Sequence, residues 1–163
     1  MRLIKIKRVK ILSQIGKTSL AESADSFVLS IPNLILSEEF CALQFYQYGK
    51  YIEATEISLS LVEQNNRNYN VLHLLGLIAI RTDEFTKAVD LLFKAIEVFS
   101  SNALVYNDLG IALITIDLIT DAMYCFEQSI IIDPSNCLSY HNLALVQQKE
   151  HHDEWKSIEK MVL

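Results

Sequence analysis

Metal or nucleophilic chemistry would have to come from four histidines, three cysteines and scattered carboxylates in this 163-residue chain. The densest cluster of ligand types is His151-His152-Asp153-Glu154. Adjacent histidines in a turn read as solvated loop residues rather than as a zinc site. Cys41, Cys125 and Cys137 lack C-x-x-C spacing, and no neighbouring cation marks any of them as an activated thiol. Three cysteines without metal-type spacing read as reduced thiols of an intracellular protein. Gly16, Gly49, Gly76 and Gly110 form no phosphate-cradling loop. The chain is therefore expected to have no catalytic residues, no metal and no cofactor, and to act by binding.

The elements that would carry a binding surface follow from composition. With 51% hydrophobic residues and 21% charged residues, the chain is too apolar for disorder over most of its length. Only four Gly and two Pro favour long helices with short connections over a turn-rich β-sandwich. There is no apolar run of about eighteen residues, so a transmembrane span is not expected. Residues 1–20 carry Arg2, Lys5, Lys7, Arg8, Lys10 and Lys17 without an acid, whereas the remainder holds 8 basic and 20 acidic residues. An acidic body is a poor phosphate binder, so nucleic acid is not an expected partner.

The basic segment 1–34 reads as helical or partly disordered. Met1, Ile4, Ile11, Leu12 and Ile15 fall at roughly helical spacing, which would make residues 1–20 an amphipathic basic helix. It would pack on the following domain, touch a membrane surface or partner, or serve as a serine-rich organelle presequence. The expected location is cytoplasmic, with an organelle interior or a membrane surface as the alternative.

A repeat organises the rest. Leu75-Gly76 and Leu109-Gly110 are 34 residues apart, as are Ala54, Ala88 and Ala122, Leu92 and Phe126, and Ala95 and Ser129. Four blocks follow: 35–68, 69–102, 103–136 and an incomplete 137–163. Tyr106, Leu109, Gly110, Ala122, Phe126 and Pro134 of the third block fit the W-x2-L-G-x2-Y…A-x3-F…P pattern. The small residues let paired helices approach, Asp133-Pro134 ends a helix, and Gly49 marks the turn inside the first pair. In the first block Cys41-Ala42 replaces Leu-Gly and Ser58 replaces the large residue, so that repeat is degenerate. The fourth keeps Leu143-Ala144, then puts Lys156 where a small residue belongs. Trp155, Ile158 and Val162 form an apolar stripe there. This stripe would pack back on its own pair, make a homodimer, or belong to a longer chain.

On these residues the chain resembles the tetratricopeptide repeat (TPR) family, which implies an all-α, right-handed solenoid of about three and a half helix-turn-helix repeats over 35–163. Within the family, VLHLLGLIAI and VYNDLGIALI are similar to repeats preceding bacterial glycosyltransferases of the O-linked N-acetylglucosamine transferase type. The acidic body and the stretch FYQYGKYIEA resemble small chaperones of type III secretion systems. A third likeness is to photosystem assembly factors of plastids and cyanobacteria.

In such a solenoid the first helix of each pair lines the concave face. Leu43, Leu77, Ile111 and Leu145 recur at 34-residue intervals on that face, and Tyr46, Ile80, Ile114 and Gln148 form a second row. Phe40, Leu74, Asp108 and Asn142 form a third, beside Glu39, His73, Asn107 and His141. A continuous apolar row marks an interaction site. The expected partner is an apolar or amphipathic protein segment, with His73, Arg81 and Asn107 supplying polar specificity. The alternative is that tight curvature, or the N-terminal arm, turns these rows into core.

TPR modules resembling the chaperone-tail clamp grip a carboxylate with Lys, Asn and Arg. Here those places hold Glu39, Leu43, Leu74, Leu104 and Asp108, so the resemblance does not extend to that clamp. The asparagine ladder of the glycosyltransferase relatives is represented only by Asn142 and the near-equivalent Asp108. His73 and His141 would lie two repeats apart, too far to share a metal at about 10 Å per helix layer. The resulting expectation is a protein-binding adaptor or chaperone. A detached glycosyltransferase targeting array and a membrane-surface assembly factor tethered by residues 1–20 are the alternatives.

Overall fold

The computed structural model describes residues 37–162, with side chains described for 37–150. The basic segment, including residues 1–20, and the side chains of Trp155, Ile158 and Val162 lie outside the described residues. Seven α-helices make up the described part: α1 (Glu38–Gln47), α2 (Tyr51–Gln64), α3 (Tyr69–Arg81), α4 (Phe85–Val98), α5 (Ala103–Thr115), α6 (Ile119–Ile132) and α7 (Cys137–Val162). Each helix packs against its sequence neighbours, so α1–α2, α3–α4 and α5–α6 are antiparallel pairs stacked in order. Consecutive first helices also touch, whereas second helices make no comparable contact with one another, so the stack bends toward the first helices.

Helix starts repeat with the same 34-residue period. Asn68 and Asn102 cap α3 and α5, their side-chain oxygens accepting from the Val71 and Leu104 backbone N–H at 3.4 and 3.0 Å. Ser37 caps α1 in the same way, accepting from the Phe40 N–H at 3.2 Å. Each such cap satisfies an orphan donor and contributes about 1 kcal/mol.

Turns inside the pairs repeat too. Gly49, Asp83 and Asp117 adopt φ of 72°, 60° and 64°. The next N–H in each, from Lys50, Glu84 and Leu118, donates back to Phe45, Ala79 and Leu113 at 2.9, 2.8 and 3.0 Å. This is the Schellman closure, which needs a left-handed residue after the helix. The glycine is legible in the sequence. The two aspartates occupy the same position because short polar side chains tolerate left-handed backbone better than most.

Packing within pairs rests on small-against-large contacts. A Cβ at Gly76 would lie 2.7 Å from Leu92, and one at Gly110 would lie 2.6 Å from the Phe126 ring. Leu92, Phe126, Ala54, Ala88 and Ala122 are fully buried, as the spacing requires.

The fourth block departs from the expected turn. α7 runs unbroken from Cys137 to Val162, so His151-His152 lies inside a helix rather than in a loop. Position 151 is where Gly49, Asp83 and Asp117 would next recur, and it holds a histidine in place of a glycine or aspartate. Without a residue suited to left-handed backbone, continuing the helix is the lower-energy course.

Candidate binding groove on the first-helix face

The inner face is built by α1, α3, α5 and α7. Polar bonds lace each of these helices to the next. Arg81 Nε donates to Tyr46 Oη at 3.4 Å, His73 Nε2 meets Asp108 Oδ2 at 2.7 Å, and Asn142 Nδ2 donates to Asn107 Oδ1 at 2.9 Å. All three links join residue i to i+35, one more than the repeat. Neighbouring first helices are therefore staggered, and equivalent positions do not face each other. The bond from Tyr46 also holds the guanidinium proton and raises the pKa of Arg81.

These bonds change the reading of several residues. Asn107 is buried, and its side-chain oxygen accepts from Ser139 Oγ and Asn142 Nδ2. It belongs to a polar junction in which Ser129 Oγ donates to the Ala103 carbonyl at 2.7 Å and lies 2.7 Å from Ser139 Oγ. Asn107 therefore holds α7 on α5 and does not present a polar group to a ligand, contrary to the expectation for it. A buried side chain of this kind is satisfied by its own fold. His73 and Asp108 remain partly exposed, with side-chain exposures of 16% and 20%, but each is the other's partner.

The apolar rows are uneven. Leu43 and Leu145, at the two ends, are exposed, while Leu77 and Ile111 between them are half-buried. Ile80, Ile111 and Ile114 pack against the core cluster around Leu109, Leu113 and Phe126. Leu74 of the third row is buried outright. The middle of the expected surface thus doubles as core. Tyr46 is half-buried, Arg81 and His141 are exposed, and Asn142 is half-buried beside Asn107.

The first two first-helices enclose the open part. Between α1 and α3 lies a concavity of about 410 Å³ with Phe40, Leu43, Val71, Leu74 and Leu77 as apolar lining. Glu39 and His73 stand on its rim. Phe40 is 45% exposed at its mouth, enough to offer a ring face to a ligand. Glu39 accepts from Asn68 Nδ2, and the same side chain caps α3 through its Oδ1, which ties the mouth to the start of the second pair. Val71 and Asn70 belong to this lining and were not expected. Their signal was present, because they open the same helix as His73 and Leu74. At the positions the family resemblance assigns to a carboxylate-gripping clamp, Glu39 and Leu43 lie at the pocket, Leu74 is buried, Leu104 is exposed and Asp108 is bound to His73.

Cys125 is buried, and burial pushes its thiol up to about 12, which keeps it protonated. Among the described residues no three His, Cys, Asp or Glu side chains lie together in a metal-holding group. No described helix is long and apolar enough to cross a membrane.

No protein-family model matches the sequence, and no curated protein matches it. Solved structures do match in fold. The first TPR domain of Spaghetti (RPAP3), bound to the HSP90 peptide SRMEEVD, is 18% identical with a TM-score of 0.68, covering 70% of this chain and 90% of that one. MamA is 20% identical with a TM-score of 0.68, covering 78% of this chain and 74% of that one. The Thermobaculum terrenum O-GlcNAc transferase, as a K341M mutant, is 18% identical with a TM-score of 0.62 over 64% of this chain. Only 20% of that enzyme is covered. The fold is accordingly an all-α tetratricopeptide-repeat solenoid.

Proposed function

We propose that this repeat fold is a protein-interaction adaptor. It would take an apolar or amphipathic segment of a partner along the first-helix face and anchor one apolar side chain between α1 and α3. The observation that carries the reading is the open concavity lined by Phe40, Leu43, Val71, Leu74 and Leu77. Exposed apolar surface of this kind at a concave site is what partner recognition uses. The RPAP3 domain, similar in fold, is bound to a peptide, which supports a peptide as ligand class. Its acidic peptide is a poor model for the ligand here, because Glu39 and Asp108 put carboxylates on this face. Like charges at a desolvating interface cost affinity.

The glycosyltransferase reading has less support. Of the two residues that represent an asparagine ladder, Asp108 is bound to His73 and Asn142 donates to Asn107. The test is affinity capture with mass spectrometry on the full chain, comparing wild type with Leu43→Glu/Leu77→Glu. These positions avoid Ile111, whose packing on the core would confound the result. A partner held by wild type and lost by the variant, with the thermal transition kept, supports the reading. A partner retained by the folded variant sinks it.

A further inference from the structure

The opposite face carries a second concavity. Between the second helices α2 and α4 runs a trough of about 520 Å³, walled by Leu59 and Val62 of α2 and by Leu91 and Val98 of α4. Leu72 and Leu75 of α3 form its floor, and both are core residues, so the trough is a place where the solenoid's core comes near its outer surface. Leu59 is 49% exposed on its wall, too much for a side chain whose only role is to fill the core.

The charges at this trough run against the rest of the body. Residues 37–150 hold fifteen acidic and six basic side chains, yet the trough is lined by Arg67 and Lys94 against the single carboxylate of Glu97. Three of the four other cations of the body have partners within it: Lys50 lies over the Phe45 ring, Arg81 bonds to Tyr46 and Lys87 pairs with Glu84, with Lys149 of α7 the exception. The charged groups of Arg67 and Lys94 make no ion pair with any described residue. Two unpartnered cations therefore flank the apolar trough of an otherwise acidic surface.

We propose that this outer trough is a second docking site, for an amphipathic segment that sets apolar side chains against Leu59, Val62 and Leu91 and carboxylates against Arg67 and Lys94. Carboxylates on such a segment complete the cations at the trough, while the surrounding acidic surface disfavours any other placement of the same segment. The two faces would then discriminate by charge, with acidic-apolar segments outside and segments without excess acid inside.

The test uses the full chain and two synthetic peptides of about four helical turns. Both carry leucines at every third or fourth position. One has glutamates between them and the other has lysines. Binding is read by fluorescence anisotropy and by backbone amide shift mapping. The glutamate peptide should bind and move the amides of Leu59, Val62 and Lys94. Its affinity should fall at least about tenfold in Arg67→Glu/Lys94→Glu, and severalfold between about 0.05 and about 0.5 M salt. Leu43→Glu/Leu77→Glu, on the other face, should leave it unchanged. Both substituted cations are exposed, so the folded state is expected to survive and a melting curve verifies it. Equal binding of the lysine peptide, shifts centred on Leu43 and Leu77, unchanged affinity in the Arg67→Glu/Lys94→Glu variant, or no binding at millimolar peptide would each overturn the proposal.

Discussion

The first and third helix pairs answer one packing problem in opposite ways. In the third, Gly110 of α5 gives up its side chain so that the fully buried Phe126 ring of α6 can lie against the helix backbone. In the first, the same two positions are Ala42 and Ser58, both fully buried. The extra methyl on one helix is matched by a smaller residue on the other. Bulk returns at Phe45, fully buried where Ala79 and Leu113 stand in the later pairs. What reads in sequence as a degenerate repeat is a reciprocal exchange. It has a cost, because the Ser58 hydroxyl is buried without a hydrogen-bond partner among the described residues.

The strongest way to break the comparison is to empty the third pair. Phe126→Ala should destabilise the domain by about 3–5 kcal/mol, since the rigid backbone at Gly110 cannot collapse into the space. Ser58→Ala should instead be neutral, or should stabilise by about 1 kcal/mol through loss of the unpaired hydroxyl. Urea midpoints of the two variants, taken at an unchanged slope, check this. Equal losses would mean that the two sites are not counterparts.

A smaller effect sharpens it. Ser58→Leu alone should cost about 1–3 kcal/mol by overpacking against Ala42. Adding Ala42→Gly recreates the solution of the second pair and should recover at least about 1 kcal/mol in a double-mutant cycle. Additive losses would show that the two positions do not touch.

The smallest effect concerns the turns. Asp117→Gly in the third pair relieves left-handed backbone that the first pair already gives to Gly49, and it should raise stability by a few tenths of a kcal/mol. A fall in the thermal midpoint would mean that the Asp117 side chain contributes more than its backbone strain costs.

Much of the fold was legible from spacing. The 34-residue recurrence of Gly76 and Gly110, of the three alanines and of Leu92 with Phe126 located the pairs, because these contacts lie within a pair and depend on short-range geometry. The asparagine caps and the αL aspartates obey the same period, and a search for turn chemistry at fixed offset would have found them. On the first-helix face, Phe40, Leu43, His73 and Leu77 line one concavity. Asn107 differs from its expected role because its partners, Ser139 and Asn142, come from α7 at offsets of 32 and 35, where a register of 34 does not look.

By itself, then, the sequence determined everything that local chemistry and pair packing control: helical class, caps, turns, the Gly-against-Leu and Gly-against-Phe contacts, and which helices face inward. Tertiary structure alone decided the stagger between successive first helices, which groups that stagger bonds to each other, and how much of each apolar row stays exposed. It also revealed the trough between α2 and α4, where core residues come close to the surface beside two cations that pair with no described residue. The reason is one of range. A cap or a left-handed turn is settled within about four residues, whereas stagger is the compromise of many side chains packing at once between helices about one repeat apart.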